Sequence, residues 1–192
     1  MKIGKLKFVF AFILGITISM SAQQVAMAYQ VNGAWANSTK SYYYASSVPT
    51  SFRTYINKGA NAWTNVTPSP WTWSLTSSSG MKVSYVYIDG PVGALGQTAV
   101  TYFGSIIISA TMKYDNSENW YAGTGVPGTI QFDLWSVGTH EMGHGLGLAE
   151  TSGIYCPGNT YDATMCPSLV SGTYYLRTLE GDDRNGVNYL YP

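Results

Sequence analysis

The chain has 192 residues, with ten Lys and Arg against ten Asp and Glu and a formal net charge of zero. Without the first 28 residues, seven basic side chains face ten acidic ones. This mildly acidic balance argues against nucleic acid as a partner, because such binding neutralises phosphates with a basic patch. Residues 29–192 suit one domain with a substantial core and leave little room for a second.

Residues 1–28 read as a secretory signal. Lys2, Lys5 and Lys7 give a positive start, 8–18 is an apolar run too short to span a bilayer comfortably, and small residues follow. Cleavage is expected after Ala22 or Ala28; the triplet Ala26-Met27-Ala28 fits the small-x-small pattern better and places the mature start at Tyr29. The expectation is a secreted, extracellular monomer with no membrane partner once the signal is removed. The order of 29–48 stays open.

Over 50–65 the apolar residues Phe52, Tyr55, Ile56, Ala60 and Trp63 recur at three-and-four spacing behind Pro49, which predicts an amphipathic helix. It stops at Thr67-Pro68-Ser69-Pro70, where proline removes backbone donors. Extended runs at 71–76, 81–88 and 105–114, bounded by glycine, serine, aspartate and proline, read as strands. The stretch 94–103 is ambiguous and is read as an irregular edge strand. A glycine-rich loop at 123–128 precedes a second helix over 130–145. A third helix fits 179–191, with Asp182 and Asp183 near its start, where the helix dipole favours negative charge.

Residues 140–150 read HEMGHGLGLAE and hold both histidines of the chain. Helix positions i and i+4 differ by about 40 degrees of rotation, so His140 and His144 project from one face and can clasp one ion. Glu141, one step round, stands beside that ion without ligating it. Zinc suits such a pair: water bound to it has a pKa near 7, and a neighbouring carboxylate can take its proton during attack on a carbonyl. Gly147 follows, where positive φ lets the helix end. A catalytic zinc has three protein ligands and one open position. Glu150 is the nearest suitable oxygen donor, with Asp162 or a cysteine as substitutes. Cys156 and Cys166, ten positions apart in an exported chain, read as a short-range disulfide, with free thiols or zinc ligation as competing readings.

On these residues the chain resembles the metzincin zinc peptidases and, within them, the matrixins. The metzincin pattern H-E-x-x-H-x-x-G-x-x-H is met at His140, Glu141, His144 and Gly147 and departs only at Glu150. Downstream, Ala163-Thr164-Met165-Cys166-Pro167 looks like the Met-turn, in which Met165 would lie beneath the metal. Leu179, Asp182, Asp183, Gly186, Val187, Leu190 and Tyr191 look like the family's last helix, and Ala60, Trp63, Val66, Thr67 and Pro68 like the end of its first. The resemblance implies an α+β, zincin-type fold: a twisted mixed five-stranded sheet packed on two helices, with a small C-terminal subdomain ending in a third. It also implies that Leu95, Gly96, Gln97 and Thr98 belong to an edge strand against which an extended peptide lies.

Three departures from the family carry expectations of their own. Glu150 in place of histidine puts a negative charge on the metal, which makes bound water less acidic and moves activity to higher pH or lowers it. The family's structural zinc uses histidines outside the catalytic motif, so one zinc is expected here; structural calcium stays open, with no ligand loop for it recognisable. Only about twenty residues separate Tyr29 from the first helix, so no blocking propeptide cysteine is expected. A Cys156–Cys166 bridge would hold the floor of the metal site against the segment carrying Glu150.

The function expected is a secreted zinc endopeptidase acting on protein or peptide, with Glu141 as general base. The alternatives are a non-catalytic, zinc-stabilised binding module for cell-wall polymer or protein, and a hydrolase of non-protein amides.

Overall fold

A computed structural model describes residues 29–151, 156 and 162–192; the expected signal segment lies outside them. The predicted helices and strands form, within a few residues of their expected bounds. Together with short strands the sequence did not suggest, the elements are β1 (Gln30–Val31), β2 (Thr39–Tyr44), α1 (Thr50–Thr64), β3 (Thr72–Leu75), β4 (Met81–Val86), β5 (Gly96–Phe103), β6 (Ile106–Asp115), β7 (Trp120–Tyr121), β8 (Phe132–Asp133), α2 (Leu134–Leu146), β9 (Leu148–Ala149) and α3 (Gly181–Leu190).

The main sheet has five strands in the order β3-β2-β4-β6-β5. The first four are parallel and β5 is antiparallel to β6, so the sheet is mixed and β5 is an edge. The ambiguous stretch is therefore a strand, and its irregularity is a register shift between Thr101 and Tyr102. β2, which the sequence reading left inside an unassigned segment, occupies a central position between β3 and β4.

One apolar core joins the layers. Ile56, Ala60 and Trp63 of α1 meet Leu134, Met142 and Leu146 of α2 and Trp73, Val83, Met112 and Tyr114 of the sheet. Leu179, Val187 and Tyr191, around α3, belong to the same core. Burying an apolar side chain of this size contributes about 1.5–3 kcal/mol. Two polar contacts orient α2: Trp63 Nε1 donates to Thr139 O at 2.7 Å and Trp35 Nε1 to Gly145 O at 2.9 Å.

The second helix begins four residues later than its pattern suggests because Asp133 is its cap. The Asp133 carboxylate accepts from Ser136 N at 2.9 Å, satisfying one of the donors a helix start leaves unpaired. Arg177 closes on the same carboxylate, with Nε 2.8 Å from Oδ2 and Nη2 2.6 Å from Oδ1. Its other donors reach Thr124 O and Gly125 O at 2.9 and 3.0 Å, tying the glycine-rich loop to the helix start. The helix ends at Gly147, whose φ of 118° is the left-handed conformation expected there. The freed carbonyl of Leu146 accepts from the Tyr191 hydroxyl at 2.6 Å.

Asp115, buried at the end of β6, fixes the turn that leads into β5. Its Oδ2 accepts the N–H groups of Ile88, Asp89 and Gly90 at 3.1, 3.0 and 3.3 Å. Its Oδ1 accepts Ser117 N and Oγ at 2.8 and 2.6 Å. No helix among the described residues is long and apolar enough to cross a membrane.

Candidate metal centre and cleft

The two histidines leave the last turns of α2 on one side, with ring centroids 4.6 Å apart. Each has its Nδ1 committed to a backbone carbonyl: His140 to Thr164 O at 2.8 Å and His144 to Leu148 O at 2.9 Å. A carbonyl only accepts, so Nδ1 carries the proton and Nε2 keeps a free lone pair, the tautomer a metal ligand requires. Burial, then the neighbouring His144, push His140 down to about 3, against the pull of its Thr164 hydrogen bond. It is a neutral imidazole across the physiological range.

Glu150 completes the set. One ligand atom from each of His140, His144 and Glu150 lies within 4.8 Å of the others, and among the described residues they form the group able to hold a metal ion. Neither Asp162 nor a cysteine joins it, and Cys156 and Cys166 are bonded to each other. Two imidazoles and a carboxylate are a donor set that zinc accepts in catalytic sites. Glu150 is exposed while the histidines are partly buried, so the third donor approaches from the solvent side.

Met165 is buried under α2, where a Cβ added to Gly143 would collide with its sulfur. The Met-turn backbone is held from α3: Asp183 accepts Thr164 N at 2.8 Å and Met165 N at 3.1 Å. Asp183 also accepts the Glu180 N–H, closing a capping box at the start of α3. Sequence reading assigned Asp183 to the helix dipole alone; the box spacing gave it a local partner, but its reach to Thr164 is a tertiary contact.

Glu141 is buried beside the histidines. Burial raises its carboxyl above the usual range, with Glu150 adding to the rise and His144 and a hydrogen bond from Thr98 opposing it. A carboxylate raised in this way is the better proton acceptor near neutral pH.

These groups line a cleft of about 480 Å³. Leu95, Gly96, Gln97 and Thr98, the strand expected to carry peptide, form one wall together with the turn at Val92, Gly93 and Ala94. Phe132, Val137, Pro167, Leu169 and Leu176 give an apolar recess beside the ligands. Leu169 lines the recess, but it continues at Leu176, while the ring of Tyr174 lies against Arg177 at 4.9 Å.

The matrixin family profile matches residues 34–192. Among individual proteins, matrix metalloproteinase-27 of Homo sapiens is 30% identical over 146 residues, covering 71% of this chain and 25% of that protein. The Tupaia belangeri protein of the same name is 28% identical over 145 residues, with the same coverage. Metalloendoproteinase 1 of Glycine max is 36% identical over 106 residues, covering 54% of this chain and 30% of that protein. The chain thus spans about a quarter of the length of the first two relatives.

Proposed function

Since the chain belongs to the matrixin family of metzincins, we propose that it is a secreted zinc endopeptidase with His140, His144 and Glu150 as ligands and Glu141 as general base. The observation that carries this reading is the convergence of those three donors beside Glu141 in one cleft. Bound there, zinc supplies Lewis acidity toward a water and toward the carbonyl under attack.

The remaining steps belong to the chain. Among the described residues the edge strand β5 pairs only with β6, and its other side offers backbone donors and acceptors to an extended peptide. The recess of Val137, Leu169 and Leu176 favours an apolar side chain next to the bond cleaved. Glu141 takes the proton of the attacking water and returns it to the leaving amine. His140 and His144, each held by a backbone carbonyl, keep the ligand geometry while that proton moves.

The test compares bound metal and casein cleavage in the wild type, Glu141→Ala and Glu150→Ala. One zinc per chain, cleavage lost in Glu141→Ala with its zinc retained, and weakened zinc in Glu150→Ala are expected. Zinc bound by the wild type without cleavage of any protein or peptide would favour a binding module instead.

A further inference from the structure

We propose that Thr98 is a positioning residue for the general base, holding the Glu141 carboxylate by its hydroxyl so that one strand sets both the peptide and the base. The proposal rests on the endopeptidase reading for its function but on β5 for its geometry. Thr98 Oγ1 lies 2.7 Å from Glu141 Oε2 and 3.2 Å from Glu141 O. A hydroxyl has one proton to give, and the shorter contact to a charged acceptor takes it. Among the described residues no other hydrogen bond reaches that carboxylate.

Strand periodicity explains why this strand can do so. Residues two apart share a face, so Gly96 and Thr98 both turn toward α2, while Gln97 between them is exposed. A Cβ on Gly96 would stand 2.7 Å from Glu141 Oε1 and 2.9 Å from its Cγ. The bare backbone of Gly96 therefore makes room for one carboxylate oxygen while the Thr98 hydroxyl holds the other. Among the described residues no donor reaches Glu141 Oε1, which can therefore meet a water. A glutamate has several rotatable bonds to fix, and a base displaced by about 1 Å can cost 10²-fold in rate.

The test uses the zinc-loaded protein, with Thr98→Val removing the hydroxyl at constant shape and Thr98→Ser keeping it. In Thr98→Val, kcat on a peptide substrate should fall about 10- to 100-fold, with KM within about twofold and zinc content unchanged. Thr98→Ser should recover kcat to within about threefold of the wild type, because the hydroxyl is what matters. Crystal structures supply a readout independent of turnover: the Glu141 carboxylate should leave its position in Thr98→Val and keep it in Thr98→Ser. Equal kcat in Thr98→Val and wild type, or equal impairment in both variants, would overturn the proposal. A wild type that binds zinc but cleaves nothing would instead sink the endopeptidase reading; an unmoved Glu141 in the Thr98→Val crystal would then overturn the positioning role by itself.

Discussion

Asp183 reaches His140 through a single residue. Its carboxylate accepts the Thr164 N–H at 2.8 Å, and the Thr164 carbonyl accepts the proton of His140 Nδ1 at 2.8 Å. The third helix thereby sets the orientation of a ligand on the second, although the two side chains never touch.

Asp183→Asn should weaken both the fold and metal binding. Asparagine replaces one acceptor oxygen with a donor, which leaves the N–H of Thr164 or Met165 facing another N–H. An unsatisfied buried donor costs about 1–3 kcal/mol. Zinc affinity should fall about tenfold, as for loss of a group supporting a ligand. Urea unfolding and zinc titration check the two effects; an unchanged zinc affinity would break the proposed link.

Gly143→Ala probes the packing of Met165 on α2. The added methyl group would strike Met165 Sδ and come within 2.7 Å of the Trp63 ring, and Trp63 is fully buried. Overpacking of this kind costs about 1–3 kcal/mol. The cost should shrink when Met165 is also cut to Ala. A thermal-melt double-mutant cycle measures that coupling, and strictly additive effects would rule it out.

Arg177→Met removes the partner of the buried Asp133, where the two side chains are 8% and 0% exposed. Leaving one charge of a buried pair uncompensated costs about 3–5 kcal/mol. Ser136 and the helix start still support Asp133, so the low end, about 3 kcal/mol, is expected. Chemical denaturation gives the value; a loss well below about 1 kcal/mol would mean the pair only offsets its own desolvation.

The stabilisation from Asp115 should be pH-dependent. Burial alone would raise this carboxyl, but the hydrogen bonds from Ser117 and from the Asp89 and Gly90 N–H groups outweigh it and hold the group well below the usual range. The sign follows from linkage. The folded pKa lies below the unfolded one, so the contribution is fully present above roughly pH 4 and is lost as pH falls toward the folded value. The stability gap between wild type and Asp115→Asn should be flat from pH 5 to 7 and narrow below pH 4. A gap that widens toward acid would reverse the sign.

The legible parts of this fold were those whose signal is local. Helix α1 shows its period in five apolar residues, and the pair of histidines on α2 follows from spacing alone. Strand β2 was hidden because Tyr42, Tyr43 and Tyr44 run together without alternation, and its partners lie on the far side of α1. The true start of α2 was signalled by Asp133, a standard capping residue, yet Ile130 ahead of it extended the apolar pattern and masked the stop. Thr98 was placed on the correct strand, but which way its side chain faces depends on register, and register is fixed only by pairing with β6. The links from Arg177 to Asp133 and from Asp183 to Thr164 span 44 and 19 positions, and no local pattern announces them.

The pairing of β1 with β9 has a consequence for where this domain should be taken to begin. Gln30 and Val31 pair with Ala149 and Leu148, immediately before Glu150, whereas the family profile starts at residue 34. A chain trimmed to the profile boundary would keep every residue of the metal motif and lose the strand that braces the third donor. Its zinc affinity would then report the missing brace as though the ligand itself were weak.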